Sequence, residues 1–258
     1  IHFAKKIQLP PDLHLESIDS IFLGERLITP APEADLLVLA GDIANGTAAV
    51  ELFKDWPAPV LYVAGSHEFY GRCFVRVRDE IRQAAHNTAI RFLDNDAAEF
   101  GGVRFLGSTL WSDYRLNGDY SQGELMLHAE RCIDDHRQIR TNDGPFTAAR
   151  ALYEHEKSRK WLQRELETKY GGKTVIVTHH GPHPKSIHPQ DANGPANATF
   201  VSALDDLLIP AQVWLHGHVH DSVDYIKWGC HVIANPLGYA RNCDAVSSVK
   251  ELKFENPS

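Results

Sequence analysis

A chain of 258 residues, 43% hydrophobic and 23% charged, can build a substantial hydrophobic core, and its length alone leaves one or two domains open. The balance of 26 Lys+Arg against 34 Asp+Glu, net −8, tilts away from nucleic acid or an anionic membrane surface as the main partner. Four scattered cysteines without a C-x-x-C pair argue against a disulfide framework. With no signal peptide and no apolar run near the roughly 18 residues of a spanning helix, the cytoplasm is the expected location.

Taken in chain order, short runs rich in Val, Ile and Leu predict buried strands at 6–9, 36–40, 60–64, 103–107, 174–178, 212–216 and 231–234. Helices are predicted at 47–56 and 73–85, after the second and third strands. The longest helix, over 147–170, carries a semi-apolar stripe of Ala148, Ala151, Leu152, His155, Leu162 and Leu166. Thr147 is its expected N-cap, and Gly171-Gly172 its expected end. Strand–helix alternation in the first half implies βαβ units, whereas the last third is strand-rich. The expected class is therefore α/β, a sandwich with two sheets in the middle. Neither a repeat nor linker-like composition interrupts it, so one domain over 1–258 is expected. Segment 111–145, polar with a helical middle, and the Pro/Gly/Asn-rich segment 183–198 are expected to sit over the strand ends as lid or substrate-binding insertions.

The residue count that departs from the ordinary is histidine: 15 in all, seven of them between His179 and His220. Imidazole is the commonest metal ligand and titrates near neutral pH. Asp12 and His14 stand two apart, so on an extended strand end their side chains converge. Gly41 permits a sharp turn, and Asp42 then sits at the mouth of a buried strand, where an unpaired carboxylate is costly. His218 and His220 again share one face after a strand, and His179 ends another. Six such ligands exceed the needs of one tetrahedral ion. Two ions about 3.5–4 Å apart, sharing a carboxylate, use them economically. The mixed His/Asp set suits Mn, Fe, Zn, Co or Ni better than Ca or Mg.

The ordered series DLHLE (12–16), GDIAN (41–45), GSHEFY (65–70), VTHHGP (177–182) and HGHVH (216–220) resembles the calcineurin-like metallophosphoesterase superfamily, from the first strand to about residue 239. That resemblance implies a four-layer α/β/β/α sandwich of two mixed sheets flanked by helices, with a di-metal site at the strand ends. It implies that Asp12, His14 and His220 hold one ion, His179 and His218 the other, and that Asp42 bridges them. Position 66 would complete the second site, and His67 would protonate the leaving group. The implied activity is hydrolysis of phosphate mono- or diesters by a metal-bound hydroxide. A small-molecule phosphoester is the expected substrate, with nucleic acid disfavoured by the charge balance and no membrane partner expected.

One departure bears on this expectation: Ser66 stands where the family usually has Asn. A serine hydroxyl reaches less far than an amide oxygen, so the second site is expected to be weakened. The same feature supports the competing expectation of a phosphoesterase-like binding or scaffold protein. A di-zinc hydrolase of another ester or a lactam would show H-x-H-x-D-H, whereas this chain reads His218-Val219-His220-Asp221-Ser222. His180 and His183 are candidates to touch phosphate oxygens, and His216 is expected to brace its turn through a backbone hydrogen bond.

Overall fold

The computed structural model describes residues 4–10, 12–15, 28–116, 118–191, 194–219, 221–235 and 249–253. All seven predicted strands are present. A first sheet has the order β13-β1-β2-β3-β4, formed by β1 (Ala4–Gln8), β2 (Leu36–Leu39), β3 (Val60–Tyr62), β4 (Ile90–Phe92) and β13 (Val249–Lys253). Strands β1 to β4 run parallel and β13 is antiparallel to β1. A second sheet has the order β11-β12-β10-β9-β6-β5, formed by β5 (Asp96–Phe100), β6 (Val103–Ser108), β9 (Lys173–Thr178), β10 (Val213–His216), β11 (Val223–Lys227) and β12 (Cys230–Ala234). Its four inner strands are parallel, and its two edges are antiparallel.

Alternate side chains of each strand go to opposite faces, and both faces are covered, which is why these runs read as continuously apolar. Leu36, Val38 and Leu61 of the first sheet share a core with Phe105, Val175, Val177, Val213 and Leu215 of the second. On its outer face the first sheet turns Leu37, Leu39, Val60 and Tyr62 towards α1 (Ala48–Phe53) and α2 (Phe74–Ala85). The second sheet turns Leu106, Ile176 and Trp214 towards Leu162 of α5 (Ala148–Glu167) and Leu207 and Leu208 of α6 (Asp205–Leu208). The two sheets thus share an apolar core, and helices pack on the outer face of each. No helix among the described residues is long and apolar enough to cross a membrane.

Thr147 caps α5 as expected, its side chain accepting a hydrogen bond from the Arg150 amide. The other end differs. The helix stops at Glu167, because Thr168 turns extended and closes the last turn with its own amide and hydroxyl on the Arg164 carbonyl. Gly171-Gly172 therefore lies in the connection to β9 and does not end the helix. Segment 111–145 contains α3 (Gln122–Cys132), α4 (Asp134–Gln138) and the ribbon β7 (Arg140–Thr141) and β8 (Gly144–Pro145). It meets segment 183–198 where the Ser112 hydroxyl donates to the Ala198 carbonyl.

Candidate metal centre

Parallel strands deliver the loops that follow them to one edge of a sheet, and a crevice outside the carboxyl ends is where open α/β sheets bind ligands. Here the loops after β1, β2, β3, β9 and β10 meet. They bring Asp12 and His14, Asp42, Ser66 and His67, His179, and His218 into one buried cluster. His220 lies outside the described residues.

The turns are sharp. His14, Asp42 and His218 have φ of 45°, 53° and 66°, in the left-handed region that non-glycine residues rarely adopt and that clusters at functional sites. Gly41, at φ 94°, leads into Asp42, and a methyl group built on it would stand 2.5 Å from His179 Nδ1. One built at Gly65 would stand 2.2 Å from Asp42 Oδ1. Both positions need glycine because the functional side chains occupy the space a Cβ would take.

Glu68 holds two of these loops together, a role that sequence reasoning missed. Its carboxylate, with no exposed surface, accepts from the amides of Asp42 (3.1 Å) and Gly65 (2.8 Å) on one oxygen. On the other it accepts from the Ile43 amide and the Tyr62 hydroxyl, both at 2.9 Å. With two donors on each oxygen, the acceptor capacity of a carboxylate is filled.

Asp42 is the focus of the site. Its Oδ2 lies 3.2 Å from His179 Nε2 and 4.0 Å from His14 Nε2, His67 Nε2 and His218 Nδ1. Its Oδ1 accepts from the His67 amide at 2.9 Å. Asp12 anchors the neighbouring turn by accepting from the His218 amide at 2.6 Å. His67 packs edge-on against His14 and is stacked by the Tyr70 ring, centroids 4.2 Å apart in each case. Tyr70 in turn donates to Asp135 of α4 at 2.7 Å, so segment 111–145 helps orient His67.

A cation fits this arrangement. His179 Nδ1 faces the Ala40 carbonyl at 2.9 Å; a carbonyl can only accept, so Nδ1 carries a proton there and Nε2, 3.2 Å from Asp42 Oδ2, is the nitrogen turned into the site. The Nε2 atom of His218 is buried without a hydrogen-bond partner among the described residues. Two adjoining buried carboxylates and several inward lone pairs are costly alone and ordinary around metal ions. Ligand atoms of Asp12, Asp42 and His179 lie within 4.8 Å of one another, as do those of His14, Asp42 and His67, and those of His179, His180 and His218.

The titration behaviour follows from the same packing. Burial lifts Asp12 to about 7, with the Asp42 charge adding to the effect and His179 and His14 opposing it. Burial also works to raise Asp42, but the charges of His179 and His67 win and hold it well below the usual carboxylate range. Burial alone would lower His179; the charge of Asp42 outweighs it and lifts the imidazole to about 10. Ligation needs the carboxylates ionised and the imidazole Nε2 free of its proton. Uptake of Zn²⁺ at pH 7 is therefore expected to expel about one proton or more per chain. Affinity should fall as the pH drops through 7, where Asp12 takes up its proton. Calorimetry in buffers of different ionisation enthalpy checks this; a heat that does not change with buffer would contradict it.

His216 braces its turn as expected, with Nδ1 donating to the Gly217 carbonyl at 2.8 Å, and its Nε2 meets Ser186 Oγ at 2.9 Å. His183 is tied up locally, accepting from the Lys185 amide at 3.0 Å.

The family described as calcineurin-like phosphoesterase matches residues 11–222. A curated relative, uncharacterized protein L509 of Acanthamoeba polyphaga mimivirus, is 27% identical over 260 aligned positions, covering 89% of each chain. Among solved structures, phosphopantetheinyl hydrolase from Mycobacterium tuberculosis aligns over 93% of this chain and 92% of its own, with a TM-score of 0.69 and 18% identity. The last similarity is one of fold.

Proposed function

Because this chain belongs to the calcineurin-like phosphoesterase family, we propose that it hydrolyses phosphate mono- or diesters of small molecules at a dinuclear metal centre. The observation that carries this reading is the crowding of four imidazole nitrogens within 4.0 Å of one carboxylate oxygen of Asp42. Asp12, His14 and His220 would hold one ion, His179 and His218 the other with the short side chain of Ser66 beside it, and Asp42 would bridge them. Bound there, two ions of the Mn, Fe, Zn, Co or Ni class would polarise phosphoryl oxygens and lower the pKa of water.

The protein's own residues do the rest. Asp42, pinned through Glu68 and the His67 amide, keeps its orientation without substrate. His67 Nε2 is the proton donor to the departing oxygen, its ring angle set by the Tyr70 stack. Arg72, whose guanidinium carbon lies 3.1 Å from where a Gly46 Cβ would be, adds a cation beside the Asp42 loop for the negative charge of the substrate. The absence of paired cysteines among the described residues suits a reducing compartment, and we place the enzyme in the cytoplasm.

A panel of phosphate mono- and diesters with added Mn²⁺ tests the reading, turnover being expected and lost to a chelator. Metal binding without turnover of any ester would favour the alternative, a binding or scaffold protein, for which Ser66 speaks. Within the panel, His67→Ala is expected to slow esters with poor alkyl leaving groups by about 10²–10⁴-fold. Nitrophenyl esters, whose leaving group departs unprotonated, should suffer much less. Equal losses on both would contradict the proton-donor role.

A further inference from the structure

Resting on that metal-centre reading, we propose that His180 is a ligand of the second ion, so that this site is a three-imidazole pocket of His179, His180 and His218 that does not need position 66. Serine at 66 then ceases to be a defect. Its hydroxyl is buried and belongs to the shortest side chain of the cluster. The imidazole of His180 is a longer and better donor.

His180 directly follows His179 at the end of β9 and is buried, with 1% of its surface exposed. Its Nδ1 faces the Thr109 carbonyl at 3.2 Å, and its amide donates to the same oxygen at 3.3 Å. Since a carbonyl only accepts, Nδ1 carries the proton, and the remaining ring nitrogen offers a lone pair. The ring packs against His218 with centroids 4.3 Å apart and against Trp111 at 5.3 Å, which leaves few other orientations. One nitrogen from each of the three imidazoles lies within 4.8 Å of the others. Nitrogens around one tetrahedral zinc stand about 3.3 Å apart, so small side-chain rotations close the shell.

Once their inward nitrogens are free of protons, the three imidazoles can share one cation. The carbonyls of Ala40 and Thr109 act as the outer partners that fix tautomer and ring angle. With Asp42, the three imidazoles supply four protein ligands. Such a nitrogen-rich set favours zinc, cobalt or nickel over manganese or magnesium.

Zinc titration with metal counting decides the matter. The unaltered chain is expected to hold two ions. His180→Ala should keep one and bind the second at least about tenfold more weakly. Ser66→Ala should keep both. His180→Ala with unchanged affinity for both ions, or Ser66→Ala losing one, would overturn the inference. A readout free of substitutions is the histidine-ring ¹⁵N spectrum of the unaltered chain. The resonance of His180 should move together with those of His179 and His218 as zinc is added. Two ions bound with His180 unmoved would sink this inference alone, whereas no zinc bound would sink the metal-centre reading as well.

Discussion

Replacing Asp42 by Ala is expected to lower phosphoester hydrolysis by about 10³-fold or more while leaving the chain folded. The carboxylate is the one group within 4.0 Å of four imidazoles from four different loops, so its loss removes the common point of both candidate ion sites. Metal stabilisation of a phosphoryl transition state is worth several kcal/mol, and each 1.36 kcal/mol is tenfold in rate. Folding is expected to survive because the loop backbone is held independently by Glu68 and by the His14 amide on the Asp42 carbonyl. Steady-state rates alongside a thermal melt separate the two effects. Near-full activity in a folded Asp42→Ala protein would refute the bridging role.

Glu68→Ala is expected to do the reverse, striking stability first. It would leave three backbone amides and the Tyr62 hydroxyl without their acceptor in a region closed to water. Breaking such a buried charged network costs about 3–5 kcal/mol. At roughly 2–4 °C per kcal/mol for a domain approaching this size, the melting temperature should fall by about 10 °C. Glu68→Gln keeps the shape but turns an amide N–H₂ towards N–H donors, so it should show part of the loss. Metal binding should weaken in both variants, because the turns before Asp42 and Ser66 are set by this carboxylate. A melt within 2 °C of the unaltered protein, about 1 kcal/mol or less, would mean that water replaces Glu68 without loss.

Glu68 also shows where sequence reading stops. A glutamate one residue after a candidate catalytic histidine looks like a solvent-facing loop residue, and nothing local marks it as buried. Its role depends on Asp42 and Ile43 arriving from another segment of the chain to join Gly65 of its own loop. His180 was similarly ambiguous, because period-two alternation ends with the strand and the next ring can turn either way. The loops that carry the candidate ligands were legible, since most of the polar clusters directly follow a short apolar run of the length and composition that suit a strand covered on both faces.

The strands missed by the sequence reading are the ones lacking that signature. Strand β5 is only partly buried throughout, β4 has just three residues, and β11 alternates exposed with half-covered positions on a sheet edge. Strand β13 pairs with β1 from the far end of the chain, which no local pattern announces. The helix over 147–170 was read three residues too long because the glycine pair is the louder stop signal. Thr168 ends it earlier through hydrogen bonds to carbonyls within its own last turn.

The dinuclear centre is tested most directly by diffraction from crystals grown with zinc or manganese, recorded at the absorption edge of the metal. Two anomalous peaks about 3.5–4 Å apart, with an oxygen of Asp42 between them, are the expected result. A single peak, or peaks that leave Asp42 without a metal neighbour, would contradict it.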